Sequence, residues 1–222
     1  MSLDNRRLGS KGDTAFANMD KISCELFVMT YGALVTQLIK DLKDIDEVNS
    51  KLEEMGYSIG CRLIDEFLSK SQTRNCKNFH TTCEMIAKVG LKMFLGVEGN
   101  IRKSTPTNNV ANTSSFSTSM TTSVSTSNLG TATPSSTSDD ISNCYILEIP
   151  NNPLNDFVEL PSQFKNKLIY SNILCGVIRG ALEMVQLKVN CKFTTCKLKD
   201  DDCDRIQIEL EEILEDVFED DD

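Results

Sequence analysis

The chain has 222 residues, 40% of them apolar, and a formal net charge of −10. That length suits one main domain with a real core, and the acidic balance argues against a dominant nucleic-acid surface, which needs clustered Lys and Arg. No run of about 18 apolar residues exists, so no membrane-crossing helix is expected; the richest stretch, 168–187, is interrupted by Asn172, Arg179, Glu183 and Gln186.

Residues 1–20 carry Gly, Ser, Asn and scattered charge and read as a disordered leader without an apolar signal core. From Ser23 the pattern turns helical. Phe27, Tyr31, Leu34, Leu38 and Leu42 recur every three or four residues. After a polar break at 44–46, a second stripe runs through Val48, Leu52, Met55, Ile59, Leu63 and Phe67. The break at 69–78 is polar. A third helix is expected over 79–95, with Phe79, Cys83, Ile86, Gly90 and Met93 inward. Gly90 falls where a bulky residue belongs. A glycine inside a helix costs about 0.5–1 kcal/mol relative to Ala, so it either leaves room for something or lets another helix come close.

Residues 99–142 are of low complexity: 21 of the 35 residues at 104–138 are Ser or Thr. Such a stretch buries too little apolar surface to offset its ordering entropy, and it reads as a disordered insertion. It splits one domain, because the part before it is all helix and the strands come after. Residues 144–149 alternate, 150–153 signal a turn, and a second strand at 157–160 would complete a hairpin. A helix follows over 170–186, with Gly176 and Gly180 spaced for tight packing. Strands are expected around 189–194 and 206–210, joined by an acidic turn at 200–202, and an acidic tail closes the chain at 217–222. The order predicts an α+β fold with helices packed on one face of a four-stranded antiparallel sheet.

The nine cysteines are an odd number with no secretory signal before them, which points to reduced thiols and a cytosolic chain. Cys191, Cys196 and Cys203 lack metal-ligand spacing and read as structural thiols. No phosphate-cradling glycine motif occurs. His80, the one histidine, lies near Cys76 and Cys83 and reads as a capping or surface residue rather than a catalytic base. Cys76 sits between Arg74 and Lys77 just before a helix, where cations and a helix N-terminus favour thiolate. It is either an incidental loop thiol or an acylation site. An acyl chain there needs a groove, since leaving it in water costs about 0.8 kcal/mol per methylene, and the space beside Gly90 would serve.

Five stretches carry a family resemblance: SCELFVMTYGALVTQL at 23–38, MGYSIG at 55–60, IAKV at 86–89, NNPLNDFVELP at 151–161 and IYSNILCGVIRGALEMVQ at 169–186. Together they resemble the small subunits of the TRAPP (transport protein particle) complex, over about 21–198 without the insertion. The resemblance implies helical surfaces for dimerisation, as a homodimer or with sister subunits. It implies tethering at cis-Golgi and ER membranes, held peripherally, and nucleotide exchange on a Rab/Ypt GTPase by the whole assembly. It also implies palmitate on a cysteine, with the chain in a hydrophobic tunnel; Cys76 matches that cysteine and Gly90 a small tunnel-lining residue. The resulting expectation is a non-catalytic subunit with no metal and no free cofactor. The rival readings are a lipid or acyl carrier that exchanges its guest, and a cysteine hydrolase using Cys76 and His80.

Overall fold

The computed structural model describes residues 3–71, 76, 78–104 and 143–214. These belong to one unit, built from the chain on both sides of 105–141. The Ser/Thr-rich residues 105–142 and the tail from 215 lie outside the described residues.

The first element departs from expectation. Residues expected as a disordered leader form helix α1, Leu3–Ala17. What holds it is tertiary contact. A side chain at Gly12 would collide with the Lys88 carbonyl, so glycine lets α1 lie against the turn at 86–90. Ala15 is buried, Asp13 pairs with Lys92 at 3.4 Å, and the same Lys92 lies 5.9 Å over the Phe16 ring. Those contacts are made to residues about 75 positions away, and the polar composition of 1–20 gives no sign of them.

Helix α2, Cys24–Leu42, starts on Ser23, whose hydroxyl accepts the Leu26 N–H, and stops at Lys43 in the left-handed region. Helix α3, Ile45–Ser71, follows at once. The expected third helix is broken into α4, Phe79–Met85, a π-helical turn, Ile86–Gly90, and α5, Leu91–Leu95. Asn78 caps α4, its side chain accepting the Thr81 N–H at 2.8 Å. A π turn frees carbonyls from the ladder. Here the Ala87 carbonyl accepts the Gly99 N–H at 2.9 Å. Lys88, buried, reaches Asn100 at 3.0 Å and ties the turn to the sheet edge.

The sheet has four antiparallel strands in the order β1-β2-β4-β3: β1 Asn100–Lys103, β2 Cys144–Ile149, β3 Leu187–Thr195 and β4 Asp204–Ile213. The strand expected at 157–160 is absent and its place beside β2 is taken by β1, which pairs Asn100 with Glu148 and Lys103 with Tyr145. The segment at 157–160 cannot run as a strand, because Phe157 adopts a φ of 60° and turns the chain. It leaves that ring 80% exposed while Val158 and Leu160 reach the core. The low-complexity stretch therefore begins after β1 rather than at residue 99, and it connects a hairpin. β1 escapes a reading of the sequence because Asn-Ile-Arg-Lys holds a single apolar residue.

A short helix α6, Ser162–Lys165, leads to α7, Ile173–Glu183, which lies across the sheet and against α3. The α3–α7 contact is made backbone to backbone. Side chains added at Gly56 and Gly60 would collide with the carbonyls of Ile173 and Val177, and side chains at Gly176 and Gly180 with those of Glu53 and Tyr57. Arg179 closes the pair, 3.3 Å from Glu53 and over the Tyr57 ring.

A buried polar cluster anchors the turn after β2. Asp204 accepts from Asn152 at 2.7 Å, Asn155 at 2.8 Å and the Lys197 N–H at 2.8 Å. Removing this acceptor takes a partner from one buried donor, Asn152, and breaks two part-buried bonds, made by Asn155 and the Lys197 N–H; a buried donor left unpaired costs about 1–3 kcal/mol. Asp204→Ala is expected to cost about 3 kcal/mol or more, read as a lowered denaturation midpoint. The glycines give a contrast within one experiment. Gly180→Ala should destabilise by about 1–3 kcal/mol through overpacking. Gly90→Ala should be neutral or stabilise by up to about 1 kcal/mol, because its nearest neighbours would be 3.9 Å away. Thermal melts of both variants check the pair, and equal losses would remove the distinction.

Candidate functional site

Beside the glycine contact, larger side chains of α3 and α7 border an apolar cavity of about 720 Å³. Ile59, Leu63 and Phe67 of α3 form one wall and Val177, Ala181 and Met184 of α7 another. The broken third helix supplies Met85, Ile86, Gly90 and Phe94, and Tyr31, Ile149 and Leu154 close the sheet side. These are the apolar stripes that periodicity detects, but part of each stripe faces empty space instead of a neighbour.

Both residues singled out from the sequence border this space. Gly90 lies in the π turn, and a Cβ there would meet only the Met85 carbonyl oxygen and Phe67 Cε2, each at 3.9 Å. Its missing side chain is therefore room in the cavity. The alternative of close helix packing belongs to the other glycines, Gly56, Gly60, Gly176 and Gly180. The π turn adds to the effect, since it widens the helix at the wall.

Cys76 lies past the end of α3, half-buried, on the cavity lining. Its electrostatics differ from the expected thiolate. Burial raises the thiol above its ordinary value, and this outweighs the opposing hydrogen bond with Thr82 and the charge of Lys11. Arg74 and Lys77, on which that expectation rested, lie outside the described residues. Thr82 and Lys11 are contacts that sequence spacing does not reveal. Thr82 is six residues downstream, across the start of α4, and Lys11 comes from the unexpected helix α1.

The His80 ring lies tilted at 5.2 Å from the Tyr145 ring, with Nδ1 3.7 Å from Glu84. Cys83 is fully buried, and desolvation pushes its thiol up to about 12. A protonated thiol in an apolar setting is a poor nucleophile, so the hydrolase reading has no catalytic pair among the described residues. Cys191 and Cys175 are likewise buried, with their thiols pushed up by desolvation. Among the described residues no group of three or more His, Cys, Asp or Glu side chains is placed to hold a metal ion, and no helix is long and apolar enough to cross a membrane.

The Transport protein particle (TRAPP) component family profile matches residues 27–210. Trafficking protein particle complex subunit 3 of Dictyostelium discoideum is 48% identical over 214 residues, covering 96% of this chain and 97% of that protein. Subunit BET3 of the corresponding complex in Saccharomyces cerevisiae is 37% identical over 217 residues, covering 97% and 95%. Among solved structures, a trafficking protein particle complex subunit 3 from Naegleria fowleri, covalently bound to palmitic acid, superposes with a TM-score of 0.69 at 42% identity, covering 89% of this chain and all of that one. With matches of this length and identity, the chain belongs to the TRAPP component family.

Proposed function

We propose that this chain is a non-catalytic structural subunit of a TRAPP vesicle-trafficking complex and holds a palmitoyl chain, thioester-linked to Cys76, inside its cavity. The observation that carries the acyl reading is the cavity itself: a thiol on the lining of an apolar space of about 720 Å³. A core of this size left empty forfeits the packing contacts of its walls, and a saturated chain would restore them. The palmitic acid bound covalently to the Naegleria relative supports the same reading. The relatives named as complex subunits support the role in an assembly.

Within that assembly the chain contributes to nucleotide exchange on a Rab/Ypt GTPase in ER–Golgi transport, peripherally on the membrane, and supplies no catalytic side chain of its own. Its helical faces take sister subunits, or a second copy in isolation. Exposed apolar residues on α2 support this: Leu26 and Met29 are exposed, and Ile22 just before the helix continues the row at a spacing of four and three.

Intact-mass spectrometry of the protein purified from its own cells tests the acyl reading. A palmitoyl-sized adduct is expected, lost with hydroxylamine and absent in Cys76→Ala. Lipid that extracts without thioester cleavage would favour the acyl carrier instead, and an unmodified, lipid-free chain would sink both. Gly90→Leu fills the space beside the π turn and is expected to abolish the adduct without lowering the unfolding free energy by more than about 1 kcal/mol.

The raised Cys76 thiol sets a pH dependence. The reactive form is the thiolate, and its fraction grows as pH rises toward a value above the ordinary 9.0. Alkylation of deacylated protein at Cys76, read by peptide mapping, should therefore climb about tenfold per pH unit through the neutral range and still be rising at pH 9. A plateau near pH 7 would mean an activated thiolate.

A further inference from the structure

We infer that the apolar rim of the cavity is a docking surface for the chain's own tail, with Val217 and Phe218 seated on Met184, Leu187 and Ile213. The cavity opens to solvent at this rim, where Ile59, Leu68 and Met184 line it and are exposed. Leu187 lines it as well and pairs with Ile213 across the β3–β4 ladder. Residues directly opposite on antiparallel strands share a face, so Ile213, 64% exposed, extends the same rim. Single exposed apolar side chains are ordinary, but a contiguous group of them marks a binding surface.

The chain supplies the occupant. Leu214, the last described residue, donates its N–H to the Gln186 carbonyl at 2.8 Å. Gln186 lies on the cavity lining, as Met184 and Leu187 do. Residues 215–222 therefore leave the fold at the rim. They hold six Asp and Glu and two apolar residues, Val217 and Phe218. Four residues of chain reach at most about 14 Å, and Met184 and Leu187 are the second and first neighbours of the Gln186 anchor in sequence. A Phe ring in an acidic tail exposes its whole apolar surface to water, and burial against the rim relieves that. A tether this short holds the ring near the rim at an effective concentration of about millimolar, so a weak contact is enough. A second copy would have to reach the same surface from its bulk concentration.

The α2 row of Ile22, Leu26 and Met29, proposed above for sister subunits, does not line this cavity. The rim and the tether belong to the polypeptide alone, so the inference does not depend on an acyl group at Cys76.

The test uses fluorescence. The chain has no tryptophan, so Phe218→Trp gives the full-length protein a single reporter at the docking residue. Its quenching by acrylamide is compared with that of free N-acetyltryptophanamide. A docked indole is expected to be quenched about threefold less efficiently or better protected still, the value for a ring seated about two-thirds of the time, and to the same extent when the protein is diluted. Met184→Asp or Ile213→Asp, each added to Phe218→Trp, should raise quenching to the free level; both positions are exposed, so the fold tolerates the charge. Loss of protection in either variant supports the docking. Quenching equal to that of free indole overturns it. Protection that fades on dilution also overturns it and assigns the ring to a second copy, and protection that survives both rim substitutions overturns it by placing the ring elsewhere.

Discussion

The spacing between α3 and α7 is the constraint from which the rest of the structure follows. Four glycines, Gly56 and Gly60 on one helix and Gly176 and Gly180 on the other, each face a carbonyl of the opposite helix with no room for a Cβ. Glycine inside a helix is unfavourable by itself, and here the close approach offsets it through dense backbone packing. The approach is local. One turn beyond, Leu63 and Phe67 on α3 and Ala181 and Met184 on α7 line the cavity. The helices are thus pinned where the glycines meet, and the larger side chains beyond border the cavity.

A second group of contacts keeps that space open. The third helix forms one wall, and its π turn is held from three sides: α1 against the Lys88 carbonyl, Gly99 on the Ala87 carbonyl, and Lys88 on Asn100. At the sheet side, Tyr31 donates to the Tyr170 carbonyl at 2.5 Å and stacks edge-on with that ring at 5.2 Å. Asn49 joins α3 to the start of α7 by accepting the Ile169 N–H at 2.8 Å and donating to the Lys167 carbonyl at 3.0 Å. The Asp204 cluster fixes the turn that carries Leu154 into the cavity lining. These are directional bonds between distant segments. They resist the collapse that hydrophobic contact alone would favour.

The charge pattern serves the sheet more than the site. Arg205 bridges Glu148 on the neighbouring strand at 2.9 Å and Asp202 in the turn at 2.8 Å, which holds its guanidinium charged. Asp201 accepts the Cys196 N–H at 2.7 Å in the same turn. The acidic turn at 200–202 is therefore structural in part. The cavity excludes charge almost wholly, so the Cys76 thiol meets desolvation first, the Thr82 hydrogen bond second and the charge of Lys11 last.

Much of this was legible in the residues. Stripes every three or four positions located α2, α3 and α7, alternation located β2, β3 and β4, and the Ser/Thr-rich run separated the two halves of the fold. Such periodicities are local properties of the chain. Cys76 and Gly90 were also marked by their sequence positions, one as a thiol before a helix and the other as a glycine on an apolar stripe. What only tertiary structure decided has one physical cause: contacts between remote segments. Helix α1 exists through Gly12 and Phe16 meeting residues 88–96. Strand β1 exists because β2 offers it an edge, whereas residues 157–160 turn away at Phe157. Whether an apolar residue lines a cavity or fills a core depends on what stands opposite, so Phe67 and Val177 look the same as Val48 and Leu52 in sequence. The state of the Cys76 thiol was decided the same way, because desolvation depends on the atoms around a group and not on its neighbours in the chain.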